Sequence, residues 1–388
     1  MDPRDNPYSP GAGRRPVALI GRAAQMEAWD VMLTRIVQGR DAQSMVMYGL
    51  RGVGKTVLLT QFALKTRSQG WIVAQTEARR GMPLREAVGE SLHGILMEIA
   101  RPGVGKRILK AVKTALSFKA SYDSTGVWHF GLDLTGSEGG GADTGALETD
   151  LGRVVMDLVA VAEERGTGVA LLIDEAQDIS QEDLAALCAL IHGANQRQER
   201  FVVALAGLPS LPRQLSEAKS YAERPFAFYE IGILTRDESI AVLADPAEMV
   251  GVDWSEEALD LVVDAAGDYP YFLQEFGQDT WNAATSSPIT ETDAQVGIIR
   301  GTNALDTGFF RIRWERASSA ERDYLRAMAQ DGEGPSSSSQ IAARLKKKPS
   351  TLGPARANLI AKGLIYSPEY GVVAFTVPAM SSFIERQE

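Results

Sequence analysis

Gly49-Leu50-Arg51-Gly52-Val53-Gly54-Lys55-Thr56 decides how this 388-residue chain folds. The octapeptide has the spacing Gly-x-x-x-x-Gly-Lys-Thr and follows a short apolar run, Ser44 to Tyr48, that reads as a strand. Glycines let a backbone wrap until several N–H groups point inward, where β-carbons would obstruct the turn. Lys55 then offers a point charge to β- and γ-phosphate oxygens, and Thr56 offers a hydroxyl to magnesium. A helix opening there sets the positive end of its dipole beneath the phosphates. The expectation is a nucleoside-triphosphate site built from Gly49, Leu50, Arg51, Gly52, Val53, Gly54, Lys55, Thr56 and Val57.

A matching partner lies more than a hundred residues on. Val169-Ala170-Leu171-Leu172-Ile173-Asp174-Glu175 is an apolar run ending in adjacent carboxylates, and it resembles a Walker B segment. An unbroken apolar run after Gly168 suits a strand buried on both faces of a parallel sheet. Asp174 would emerge at the strand's carboxyl end, where ligands bind in open α/β sheets, and hold magnesium through water. Glu175 is placed to polarise the water that attacks a γ-phosphate. The bland alternative is a buried strand that ends in solvated acids.

Composition bounds the function. Hydrophobic residues make up 45% and charged residues 23%, and no apolar stretch is long enough for a membrane span. Residues 1–16 are polar and proline-rich with no apolar signal core, so they are expected as a disordered lead-in on a cytoplasmic protein. The single Cys188 excludes an internal disulfide and a thiolate zinc cluster, and His93, His129 and His192 are scattered. A net charge of −10 argues against a surface coated for nucleic acid, though not against one small basic module.

Elements alternate between helix and strand from about residue 17 to 235, which predicts an α/β domain around a parallel sheet. Arg101 to Thr149 interrupts the rhythm. It carries a basic helix with Lys106, Arg107, Lys110 and Lys113, an expected hairpin from Ser117 to Leu134, and a glycine-rich stretch. This insertion either touches a partner or DNA, or is a solvated basic face with a tethering loop. From Arg236 to about residue 305 the pattern is all-helical. Residues 306–388 look like a winged helix-turn-helix: helices over Ala320–Gln330 and Gln340–Leu345, a third ending at Gly363, and wing strands at Leu364–Tyr366 and Gly371–Phe375. Thr351, Arg356, Asn358 and Lys362 are candidates for that third helix's outer face, with Lys346, Lys347 and Lys348 as a phosphate clamp. Winged helices contact DNA or protein, and both remain open here.

Taken in order, these motifs are similar to the STAND and origin-recognition-like branches of the AAA+ ATPases, and the similarity spans nearly the whole chain. It implies a P-loop NTPase core, a small helical lid and a winged helix, with ATP and Mg2+ as ligands. Leu19-Ile20-Gly21-Arg22 resembles the segment that covers the adenine, against the plainer reading of a turn and N-cap. Gly267-Asp-Tyr-Pro270 resembles the lid signature that puts Pro270 near base and ribose. Arg224 stands where such proteins carry an arginine finger into a neighbouring subunit, with Arg200 or a plain surface role as rivals, and self-assembly into a dimer or ring follows from it. Ala206-Gly207-Leu208-Pro209 resembles a sensor-one turn, yet no Asn or Thr stands at the strand tip and the nearest polar group is Ser210. The resemblance implies an ATP-driven switch with a winged-helix output. The alternatives are a DNA-binding regulator or loader in which ATP only stabilises the fold, and a scaffold for an effector in defence or mobile-element biology.

Overall fold

The computed structural model describes residues 1–11, 13, 14, 16–99, 106–120, 141–219 and 224–387. At residues 93, 97–99, 119 and 120 the backbone alone is described. The core runs α1 (Ala23–Val37), β1 (Ser44–Tyr48), α2 (Lys55–Ser68), β2 (Ile72–Glu77), α3 (Leu84–Ile99), α4 (Lys106–Ala120), α5 (Leu147–Glu163), β3 (Val169–Asp174), α6 (Gln181–Gln196), β4 (Phe201–Gly207), α7 (Leu211–Ala218) and β5 (Phe226–Glu230). The five strands are parallel in the order β2-β3-β4-β1-β5. Every residue of β4 is buried, as its unbroken apolar sequence requires of a central strand covered on both faces. This order brings the carboxyl ends of β1, β3 and β4 side by side.

Alternate residues divide the core. Met45 and Met47 face a cluster with Trp29, Leu59 and Phe62 of α1 and α2, whereas Val46 faces the cluster from α3, α5 and α6. The Trp29 ring stacks on Phe62 at 4.7 Å, and its Nε1 donates to the Thr66 hydroxyl at 2.8 Å. Cys188 packs in the second cluster, where burial pushes its thiol up to about 11.

A four-helix segment follows: α8 (Arg236–Glu248), α9 (Glu256–Ala266), α10 (Pro270–Ala283) and α11 (Glu291–Ala304). Reciprocal capping boxes, Thr235 with Glu238 and Thr290 with Asp293, start α8 and α11. Through a π-helical turn, Leu305–Phe310, the chain enters α12 (Arg311–Glu315), α13 (Ser319–Ala329), β6 (Ser336–Ser337), α14 (Ser338–Arg344), α15 (Pro349–Ala361), β7 (Ile365–Tyr366), β8 (Val372–Phe375) and α16 (Met380–Glu385). β6 and β7 pair antiparallel with the two sides of β8, and Leu352 and Leu359 turn α15 onto the module's interior.

Two expectations need correction. The N-terminal residues are not a free tail: they form a strap across the four-helix segment. Tyr8 is buried, its hydroxyl donating to the Leu243 carbonyl and accepting from Trp254 Nε1, and Ser9 N–H donates to Gln274 at 3.0 Å. Prolines at 3, 7 and 10 explain the misreading, because they lower the hydrophobic signal; Pro3 opens a 3-10 turn, Pro3–Asp5, ahead of Tyr8. The basic face of α4 is not wholly displayed either. Lys110 pairs with Asp157 of α5 at 2.9 Å and Arg107 with Glu164 at 3.1 Å, while Ala111, Val112 and Ala115 are buried. The hairpin expected over 117–134 lies largely outside the described residues, and so does the first half of the glycine-rich stretch, 136–140.

Removing the Tyr8 ring empties a site between α8, α10 and Trp254. Tyr8→Ala is expected to cost roughly 3 kcal/mol locally, as other aromatic deletions in cores do. Faster amide hydrogen exchange across α8 and α10 is the readout.

Candidate functional site

The loop between β1 and α2 is shaped by what crowds it. A β-carbon on Gly49 would stand 2.1 Å from the Ile231 carbonyl oxygen, so the chain leaving β5 passes against bare backbone. Gly52 and Gly54 have φ of +91° and +95°, a region that suits glycine. The Tyr269 ring packs on Gly52, within 3.0 Å of where a β-carbon would be. Arg22 holds the loop from behind, donating to the Val53 carbonyl at 3.1 Å and the Gly232 carbonyl at 2.8 Å.

A cavity of about 230 Å³ opens above this loop. One end is polar. Lys55 Nζ donates to the Gly49 and Leu50 carbonyls at 2.9 and 2.6 Å, and Thr56 hydrogen-bonds Asp174. The other end is apolar, walled by Leu19, Ile20, Leu234, Val242 and Pro270. Burial lowers Lys55 to about 8, against the pull of Glu175 and Asp174. Burial also raises Asp174, opposed by its hydrogen bonds from Thr56 and the Glu175 amide. A half-buried carboxylate beside a hydroxyl is a hard-oxygen pair, the donor set Mg2+ takes when phosphates and water complete its shell. Among the described residues no cluster of three or more His, Cys, Asp or Glu could hold a metal without such help.

Glu175 has φ of +49°, a strained backbone for a non-glycine residue, and its carboxylate is gripped from two sides. Arg51 forks onto it with two 3.2 Å hydrogen bonds, and Gln177 Nε2 donates at 2.5 Å. Gln177 Oε1 accepts from the Leu208 N–H at 2.9 Å, and a β-carbon on Gly207 would meet that oxygen at 2.8 Å. Gln177 thus supplies the polar group that sequence reasoning sought at the tip of β4. Ser210 is buried at the start of α7.

Of the expected nucleotide residues, Ile20, Arg22, Pro270 and residues 51–57 line the cavity. Gly49 and Leu50 support it through the carbonyls that take Lys55, and Gly21 has φ of +72° against Leu234. Arg224 is exposed and precedes β5, whose Phe226 pairs with Ser44 at the start of β1. It therefore sits a strand's length, about 16 Å, from its own phosphate loop. The expected DNA set divides: Arg356 and Lys362 line a cleft between the C-terminal module and the core, while Lys346, Lys347, Lys348, Thr351 and Asn358 are exposed outside it. Sequence reasoning missed Gln177, Tyr269, Arg14 and Arg313. Gln177 had a signal, a polar residue just past the acid pair; Arg313 had none, since it arrives from a helix far along the chain.

Sheet order, loop and acid pair define a P-loop ATPase fold. Residues 18–203 match the AAA ATPase domain model, so the chain carries an AAA ATPase domain. Residues 307–384 match a domain of unknown function, DUF8462. An uncharacterized HTH-type transcriptional regulator of Methanocaldococcus jannaschii is 22% identical over 366 residues, covering 91% of this chain and 84% of that protein. The Walker-type ATPase of Pyrococcus abyssi has a similar fold, with a TM-score of 0.57, 18% identity, and coverage of 97% of this chain and 98% of that one.

Phosphates returning the charge to Lys55 would make binding take up a proton above pH about 8. Triphosphate affinity is expected to fall as pH rises through that value, by at most tenfold per unit. Calorimetric titration in buffers of different ionisation enthalpy reads the uptake, and affinity independent of pH contradicts a depressed Lys55.

Proposed function

We propose that this chain is an ATP-binding, slowly hydrolysing molecular switch of the STAND-like kind, whose nucleotide state sets the position of its C-terminal module. The observation that carries this is the single cavity joining phosphate loop, Asp174–Glu175 pair, strap and Pro270 wall. Its apolar end suits a base and its cationic end a triphosphate. Thr56 and Asp174 would hold Mg2+, which when bound spreads the charge of the β- and γ-phosphates. Glu175 accepts the proton of the attacking water once Arg51 releases one of its oxygens, and Gln177 keeps that carboxylate aimed.

The C-terminal module touches the loop directly. Arg51 N–H donates to the Thr376 carbonyl at 2.9 Å, so a change in the loop is felt there without an intermediary. Three helices and a short antiparallel sheet support reading that module as a winged helix. A second reading, a DNA-binding regulator, is favoured by the HTH-type regulator that matches 91% of the chain. Arg224, exposed and remote from its own cavity, is available to a second copy of the chain, which supports assembly as a dimer or ring.

Two variants test the reading. Lys55→Ala should abolish binding of a fluorescent ATP analogue. Glu175→Gln should keep binding while turnover drops on the order of 10²- to 10⁴-fold, the usual loss on removing a general base. Wild-type rates in both sink the assignment.

A further inference from the structure

A second cavity, about 940 Å³, separates the ATPase core from the C-terminal module. Six arginines and Lys362 line it against one carboxylate, Asp178. On a chain of net charge −10 this is a marked separation of sign. Arg51 and Lys362 are paired with Glu175 and Glu321, Arg80 with Asp178 and Arg213 with Glu217. Arg313, Arg316 and Arg356 make no ion pair among the described residues, and the buried Nε atoms of Arg51 and Arg356 lack a hydrogen-bond partner. Unpaired guanidinium groups turned into a common space are held for an anion from outside.

The rim says which anion. Tyr370 is 98% exposed, in the loop joining β7 to β8, and half-buried Tyr366 stands beside it in the lining. A solvated aromatic ring next to backbone-binding cations is the combination that holds unpaired bases by stacking while arginines follow the phosphates. A duplex fits poorly. Arg356 on α15 and Lys362 at its C-cap look across the cleft at the core, so they cannot enter a major groove about 12 Å wide while the module stays there.

We propose that this cleft binds a single-stranded nucleic acid, its phosphodiester backbone on Arg316 and Arg356 and a base stacked on Tyr370. The backbone contacts are indifferent to sequence, and the site is separate from the nucleotide cavity except at Arg51 and Arg313, which line both.

Fluorescence anisotropy on the full chain, without ATP, tests this with labelled oligothymidylate and oligouridylate; preference for one identifies the sugar. The expected result is affinity that falls with salt. An Arg316→Ala/Arg356→Ala double variant should reduce the log–log slope by about 1.4, at roughly 0.7 per single-strand phosphate. Tyr370→Ala, at a residue too exposed to affect folding, should weaken oligonucleotide binding by roughly 5- to 150-fold, the range for one stacked base. The same change should leave inorganic polyphosphate binding as it was. Four results overturn the proposal: no salt-dependent binding, tighter binding of the matching duplex, an acidic polyglutamate peptide binding as well as the oligonucleotide, or loss of binding on Lys346→Ala/Lys348→Ala with the cleft variants unaffected. Because no nucleotide is added, failure here leaves the reading of the ATP cavity standing, and failure of Lys55→Ala to lose ATP leaves this one standing.

Discussion

Arg51 is held at both ends, and the arrangement of the molecule turns on it. Its amide belongs to the C-terminal module through the Thr376 carbonyl, and its guanidinium belongs to the acid pair through Glu175. Between those two grips runs the phosphate loop itself. A bidentate arginine–carboxylate pair is geometrically demanding, so moving either partner by an ångström breaks at least one of its hydrogen bonds. The loop, the Glu175 carboxylate and the C-terminal module are therefore coupled through one side chain. Gly363 extends the contact, with Arg51's guanidinium 3.2 Å from where a β-carbon would be.

Electrostatics gives that coupling a direction. Arg14, Arg22, Arg51, Lys55 and Arg313 surround the cavity against Asp174 and Glu175, so the site is cationic before any ligand arrives. Burial lowers Arg22, Lys55 and Arg313, which means each carries unmet demand for a counter-charge. Arg313 is the telling one. It donates to the Phe309 carbonyl at 2.6 Å and lies 3.8 Å over the Phe309 ring, with no carboxylate partner among the described residues. In the proposed switch a γ-phosphate competes for Arg51 and Arg313 together, and both lead to the C-terminal module.

How much of this was legible beforehand depended on how local each signal was. The phosphate loop, Asp174–Glu175 and the buried strands were readable because each is a short run whose residue types have a single physical use. β4 and β3 could be read as central strands from unbroken apolar runs alone. The strap was misread because Tyr8 is one aromatic among prolines and charges, and its burial depends on a site between α8, α10 and Trp254 that no local pattern announces. Gln177 and Arg313 illustrate two other limits. Gln177 acts by filling a position that another element normally fills, and Arg313 acts through a helix more than 250 residues from the loop it faces. The expected DNA set divided for a third reason: Lys346, Lys347, Lys348, Thr351 and Asn358 are exposed, but helical spacing does not show that the core stands opposite Arg356.

That last point bears on what the C-terminal module does. α15 has three faces: Leu352 and Leu359 pack inward, Thr351 and Asn358 meet solvent, and Arg356, Ile360 and Lys362 look across the cleft at the core. A helix that presented Arg356 to a duplex would have to leave the core. It would take Gly363 away from Arg51 and, with β8, the carbonyl that holds Arg51's amide. An unpaired strand needs no such departure, since it can enter the cleft with the Arg51 contacts intact. The two ligands thus make opposite demands on one hydrogen bond. A duplex read through Arg356 is incompatible with the Arg51–Thr376 contact, whereas a single strand in the proposed site would lie against the residues that maintain it.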